Sequence, residues 1–309
     1  MKTFFESPDR DRKTSGCILC NSFNWKALSL KDLFQIFKCK DCGLIFAYPI
    51  PDEDKVLESY SKGKSLESSI VEKQRENGER NFPEWKIKES MFFYRGITEY
   101  KRTGNILDIG CLWGLFLSIA KKKGWDCYGV EPFTEAADYA REKFGLNIFQ
   151  GDIKKAHYPN NYFDVITMFD VIEHSVNPAN ILAETHRILK NDGLLCVGTP
   201  NLNGIYTTSQ NIYGKLRFNK LTPNYLNPPF HFYGFNKKNI KKLLNKAGFE
   251  VIEIKTFSSF IMNNLIPPSK NIFSFKLLLR KCISILEDYT NSGDRMICYA
   301  TKKHSSTNS

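Results

Sequence analysis

Along residues 104–199 apolar residues come in two rhythms: short unbroken runs, and longer stretches with apolar positions three and four apart. The short runs predict strands at Asn105–Ile109, 127–130, 148–150, Phe163–Phe169 and 193–199. The longer stretches predict helices over 115–123, Thr134–Phe144 and 179–189. The first is stopped by Gly124; the second is capped by Thr134 and closed by Gly145. Phe163–Phe169 is apolar at nearly every position, as in a strand buried on both faces. Farther on, a helix over 239–247 ends at Gly248, and strand-like runs follow at 249–255 and 296–302. Strands alternating with helices predict an α/β fold with a mainly parallel sheet covered on both faces.

The remaining zones differ in kind. Residues 1–50 hold two Cys-x-x-Cys pairs and read as a small module of their own. Residues 51–103 are charged and read as a helical linker or cap, with 62–80 as a solvated helix or linker. The main domain spans 104–302, with insertions at 200–238 and 256–295. Residues 200–238, rich in Asn, Pro and aromatics, predict a long loop that serves as a lid. The tail 304–309 is expected to fray.

Composition excludes a disordered or fibrous chain: 42% of residues are apolar and 25% charged. Charge is divided unevenly. Residues 1–199 hold 28 basic and 28 acidic side chains, while 200–309 hold 16 and 5, which is the whole net charge of +11. An anionic partner is therefore expected at the C-terminal third. The start of the chain is polar and apolar stretches break before 18 residues, so neither a secretory leader nor a spanning helix is expected. The nine cysteines are then expected as thiols in a reducing cytoplasm. Segment 272–286 carries Lys276, Arg280 and Lys281 at helical spacing in an apolar run. It reads either as a basic amphipathic helix on an anionic membrane or as an insertion helix packed on the core or a second copy.

The first strand ends in Asp108-Ile109-Gly110-Cys111-Leu112-Trp113-Gly114 and leads into a helix. Glycines and a helix N-terminus let a ligand approach the backbone. The spacing is not Gly-x-Gly-x-x-Gly, and a carboxylate at Asp108 would repel a pyrophosphate. Glu131, at the end of the second strand, is placed to accept both hydroxyls of a ribose. An adenosyl ligand with positive charge and no phosphate is S-adenosylmethionine (SAM).

These residues resemble class I SAM-dependent methyltransferases over roughly 104–302. The run 106–110 is similar to the first motif of that family. Gly129-Val130-Glu131-Pro132 resembles its ribose segment and Gly151-Asp152 its adenine contact; Asp170-Val171-Ile172-Glu173-His174 resembles the loop after its fourth strand. The resemblance implies a Rossmann-like sheet of seven strands with the last antiparallel, and Asp108, Gly110, Gly114, Glu131 and Asp152 holding the cofactor. The family usually has glycine where this chain has Leu112 and a small residue where it has Trp113; the Leu112 side chain is expected to turn into the sheet.

Cys17-x-x-Cys20 and Cys39-x-x-Cys42 have the spacing of a four-thiolate zinc site. A redox pair is the alternative. The set is closed, so zinc is expected to be structural. The segment resembles the N-terminal zinc-binding module of bacterial methyltransferases, many of which act on sugars or natural-product scaffolds. It lacks a dense basic stripe, so nucleic acid is not the expected partner.

Methyl transfer needs a placed acceptor and a group to take its proton. Candidates are His231, in Pro228-Pro229-Phe230-His231-Phe232-Tyr233, together with His174 and Asp170. His157 and His186 read as structural. The expected acceptor is a small molecule or carbohydrate, anionic, nucleotide- or lipid-linked, and methylated at oxygen. Lys215, Arg217 and Lys220 are its candidate contacts. A nucleic-acid or translation-component methyltransferase and a non-catalytic SAM-binding protein stay open, as does the oligomeric state.

Overall fold

The computed structural model describes residues 16–31, 33–61, 82–218, 226, 228, 230–259 and 275–303. The expected run over 62–80 and the tail 304–309 lie outside them.

Seven strands form the main sheet. They are β4 (Asn105–Ile109), β5 (Asp126–Glu131), β6 (Asn147–Gln150), β7 (Phe163–Phe169), β8 (Leu189–Pro200), β10 (Phe249–Phe257) and β11 (Arg295–Lys302). Their order is β10-β11-β8-β7-β4-β5-β6. Every pair from β8 to β6 is parallel, and β11 runs antiparallel to both its neighbours. The fold class expected from the alternation is the one found. Ile106, Leu107, Val165, Ile166, Leu195 and Val197 are fully buried, as unbroken apolar runs require.

Helices α2 (Glu84–Thr98), α3 (Leu115–Lys121), α4 (Thr134–Phe144), α5 (Pro178–Ile188) and α7 (Lys237–Lys246) flank the sheet. Two caps follow side-chain chemistry: Asn177 accepts from Asn180 N and Asn236 from Asn239 N. Thr134 is not a cap. Phe133 takes that position, and the Thr134 hydroxyl instead accepts from Gln150 Nε2 at 2.9 Å. Gly145 does close α4, in the left-handed conformation.

Two sequence expectations need correction. Segment 200–238 is not a continuous loop: helix α6 (Ile205–Phe218) fills much of it, and the short strand β9 (Tyr233–Gly234) lies near its end. Asn and aromatic residues weakened the helical signal there. Within 272–286 Arg280 leaves the expected basic stripe, Lys281 is exposed, and the side chain of Lys276 lies outside the described residues. Helix α8 (Phe275–Tyr289) buries Arg280 against Glu287 and Asp294.

The N-terminal strands β1 (Trp25–Lys31), β2 (Phe34–Cys39) and β3 (Ile45–Tyr48) form a second sheet, completed by β9. A short helix, α1 (Glu53–Ser61), follows. Phe46 pairs with Tyr233, and Ala47 N donates to Phe232 O at 2.8 Å. Leu19, Ile36, Leu44 and Phe46 share one buried cluster with Leu243, Leu244 and Phe249. The cysteine segment is thus joined to the C-terminal third by both backbone pairing and core.

Among the described residues no helix is long and apolar enough to cross a membrane.

Candidate active site and thiol cluster

The loop after β4 is shaped by three residues with positive φ: Gly110 at 74°, Leu112 at 46° and Gly114 at 74°. A side chain at Gly110 would start 2.5 Å from Val171 Cγ2, and one at Gly114 2.8 Å from Ala140 Cβ. Both glycines are therefore required by packing as well as by φ. Leu112 holds the left-handed conformation without glycine's freedom, at a cost of roughly 1–2 kcal/mol. Its side chain does not turn into the sheet as expected. It joins Trp113, Phe133 and Tyr139 over α4, which offsets the strain with apolar contact.

Glu131 is buried at the end of β5, next to this loop. One carboxylate oxygen accepts from Leu112 N and the other from Phe133 N, both at 2.8 Å. These two backbone donors fix the carboxylate in place beside the loop. Asp152, at the end of β6, caps the following turn by accepting from Lys154 N at 2.7 Å, and Gly151 N donates to Glu131 O. Asp108 is buried and accepts from Thr167 Oγ1 at 2.6 Å. Burial pushes its carboxyl up to about 7, against the Thr167 hydrogen bond. Asp108 therefore braces the β4–β7 contact.

A second group gathers at the ends of β7 and β8. Asp170, with φ 57°, is ion-paired to Arg295. Burial alone would raise its carboxyl, but the Arg295 charge overrides this and holds it below the usual range. Glu173 is buried; Oε2 accepts from Thr199 Oγ1 at 3.0 Å, and Oε1 has no hydrogen-bond partner among the described residues. Burial, then the Asp170 charge, pushes Glu173 up to about 8. His174 Nδ1 donates to Phe230 O at 3.0 Å, since a carbonyl can only accept. Burial, then His231, lowers His174 to about 3, leaving a neutral ring with Nε2 as its lone-pair nitrogen. The His231 ring lies 4.5 Å from that of His174. The backbone secures this pairing, because Phe232 N donates to Glu173 O at 2.9 Å. Glu173, His174 and His231 have ligand-type atoms within 4.8 Å of one another, so this set could also hold a cation.

The sequence singled out His231, His174 and Asp170, and the structure brings the two histidines together. It missed Glu173, the buried carboxylate between them and the sheet. The available signal was its position beside His174 at the end of an apolar strand. His186 packs edge-on against Phe249 at 5.2 Å, and His157 follows the turn after Asp152, so both stay structural.

The four paired cysteines also converge. Cys17 Sγ lies 3.4 Å from Cys42 Sγ, and Cys20 Sγ 3.5 Å from Cys39 Sγ, all as free thiols. Two equivalent turns present them. Asn21 N donates to Cys17 O and Gly43 N to Cys39 O, with Asn21 and Gly43 both left-handed. Tetrahedral zinc with bonds of about 2.3 Å places its sulfurs about 3.8 Å apart, close to this spacing. Burial raises the Cys17 and Cys42 thiols, the latter to about 11, so a metal binding here would displace protons.

Residues 84–254 match a family model described as a methyltransferase domain, more than half of the chain. The chain belongs to this methyltransferase-domain family. It is 26% identical over 181 residues to a probable SAM-dependent methyltransferase of Mycolicibacterium smegmatis, covering 56% of this chain and 65% of that one. It is 32% identical over 106 residues to a ubiquinone biosynthesis O-methyltransferase of Actinobacillus pleuropneumoniae, covering 31% of this chain and 45% of that one. The chain thus spans less than two thirds of the length of these curated relatives. A SAM-dependent methyltransferase structure from Archaeoglobus fulgidus superposes with a TM-score of 0.52 at 19% identity, over 77% of this chain and all of the other. That likeness establishes the Rossmann-like methyltransferase fold.

Proposed function

We propose that the chain transfers a methyl group from SAM to a hydroxyl of a small-molecule or carbohydrate acceptor. The observation that carries this reading is the fixed Glu131 carboxylate beside the left-handed loop after β4, with the Glu173–His174–His231 group at the neighbouring strand ends. Bound SAM supplies an activated methyl on sulfur. Glu131 would hold the ribose, Gly110 and Gly114 would let the backbone approach the ligand, and Asp152 would face the adenine. Across the strand ends, His231 and His174 orient the acceptor. Glu173 would take the acceptor's proton as the acceptor oxygen gains the methyl that SAM supplies. The products are a methyl ether and S-adenosylhomocysteine. The relative that methylates oxygen in ubiquinone biosynthesis is compatible with this acceptor atom. Asp170 contributes through Arg295, whose charge it balances.

The four thiols hold one structural zinc in this reading. The acceptor is anionic, in keeping with the 16 basic and 5 acidic side chains of 200–309. The side chains of Lys215, Arg217 and Lys220 lie outside the described residues. If the acceptor is anionic, kcat/KM falls as the screening length shrinks from about 10 Å at 0.1 M salt to about 3 Å at 1 M. A rate insensitive to salt over that range would remove anion attraction from the mechanism.

Cofactor binding tests the core of the proposal. Calorimetry on Glu131→Ala is expected to show a SAM affinity lower by roughly 10- to 150-fold. That corresponds to one charge-assisted hydrogen bond's worth, about 1.5–3 kcal/mol, because Leu112 N and Phe133 N already share the carboxylate. Unchanged affinity would move the ribose elsewhere.

A further inference from the structure

The Glu173–His174–His231 group has the make-up of a cation site as well as of a proton site. Glu173 is 2% exposed, and its Oε1 has no hydrogen-bond partner among the described residues. Buried polar atoms in folded proteins are nearly always paired, so an orphaned carboxylate oxygen marks a place for something the chain does not supply. Two imidazoles stand beside it, and ligand-type atoms of all three side chains lie within 4.8 Å of one another. Metal bonds of about 2.0–2.2 Å place neighbouring ligand atoms roughly 3.0–3.5 Å apart, so closing on an ion asks each side chain to move by about 1 Å at most.

The surroundings hold these ligands as metal ligands are usually held. A ligating histidine donates its other ring N–H to a carbonyl or carboxylate, and a ligating carboxylate is itself hydrogen-bonded. His174 Nδ1 donates to Phe230 O at 3.0 Å, which leaves Nε2 as its binding nitrogen. Glu173 Oε2 accepts from Thr199 Oγ1 at 3.0 Å, which leaves Oε1 for an ion. Phe232 N donates to Glu173 O at 2.9 Å, so the segment carrying His231 is fastened to the loop carrying the other two ligands. Asp170 balances the Arg295 charge and so reduces its opposition to a cation. Both imidazoles are partly exposed, which gives an ion a way in. The donor set selects the ion class. Two imidazoles and one carboxylate suit zinc, cobalt, manganese or iron(II), whereas magnesium and calcium take oxygen ligands. Three protein ligands also leave at least one coordination position open.

We propose that Glu173, His174 and His231 bind one divalent transition-metal cation, in a site separate from the four thiols. A consequence follows for turnover. Glu173 Oε1 cannot hold a cation and take a proton at once, so the ion and proton transfer to Glu173 exclude each other. The cation is then an inhibitor that acts on the acceptor side and leaves the cofactor side untouched. This consequence rests on the methyl-transfer reading, with Glu173 as base in the ion-free site; the ion site itself does not.

The test is a titration of the full chain, first loaded with one equivalent of zinc, with Co²⁺ alone, followed by visible absorption and by metal content after dialysis. One further equivalent should bind with the weak bands of nitrogen- and oxygen-bound cobalt and without the intense charge-transfer bands of thiolate-bound cobalt. Thr199→Val, which removes a partner of the carboxylate, should weaken Co²⁺ binding by about 10- to 100-fold, and His231→Ala and Glu173→Gln, which remove ligands, by more than that. SAM affinity and the first equivalent of zinc should stay as in the parent in all three, which shows that they fold. No cobalt beyond the thiol cluster, or binding unchanged in both ligand variants, overturns the site. Turnover tests the consequence separately. Saturating Co²⁺ should lower kcat of the parent by about 10²–10⁴-fold, the loss expected from removing the base, with SAM affinity unchanged and the rate restored on dialysis. Cobalt that binds as described while kcat holds or rises would overturn the exclusion and take proton transfer away from Glu173, with the ion site still standing.

Discussion

Glu173→Gln is expected to lower kcat by about 10²–10⁴-fold while leaving SAM affinity close to that of the parent. The size follows from what the substitution removes. Gln keeps the shape and can still accept from Thr199, so packing at the end of β8 survives. It cannot take a proton. Two of its neighbours are no substitute: Asp170 is held in its ion pair, and burial has removed the basicity of His174. The sign of the pH effect follows from the raised carboxyl. Burial and the Asp170 charge hold Glu173 protonated below about 8, and only the ionised form accepts a proton. The rate should therefore rise through about pH 8 in the parent, and this limb should vanish in Glu173→Gln. Measuring kcat against pH with any acceptor that turns over checks both statements. A variant that retains both the rate and the limb would move proton transfer to His231.

The same residue shows how far the sequence could be read. Strand positions were legible because β7 and β8 are buried on both faces and so carry unbroken apolar runs. The paired cysteines were legible because two turns with one spacing have few other uses. Glu173 was not legible as a site residue, because a carboxylate in sequence carries no sign of its burial. Its surroundings are set by Thr199 and Phe232, which are 26 and 59 positions away. Long-range pairing hid α8 for the same reason. Arg280 at helical spacing looks like part of a basic stripe until Asp294 and Tyr206 are seen to enclose it. Leu112 shows a local limit. Glycine's place was recognised, but the direction of its replacement was set by Trp113, Phe133 and Tyr139.

If the four thiols hold zinc as proposed, removing it is expected to have the widest structural effect. Zinc on four thiolates contributes apparent binding free energies of about 10–16 kcal/mol in isolated finger peptides, and those peptides unfold without it. Here the consequence should reach the acceptor side. The Cys39 turn leads into β3, which pairs with β9 through Phe46 and Tyr233. His231 lies two residues before Tyr233. A further tie is Asn239 Nδ2, which donates to Cys42 O at 2.9 Å. Loosening the cysteine turns would free the strand that keeps His231 against His174. Glu131 and the loop after β4 are held to one another at the ends of β4 and β5 through Leu112 N and Phe133 N, so SAM affinity should change far less than turnover. Protein purified without added metal is expected to contain about one zinc per chain, and Cys39→Ser well under half of that. The variant should also show increased protease cleavage within residues 17–50 and a fall in kcat larger than its fall in SAM affinity. Full zinc content in Cys39→Ser would rule out the four-thiolate site. Equal losses in turnover and cofactor binding would show that the cysteine segment supports the whole sheet rather than the acceptor side through β9.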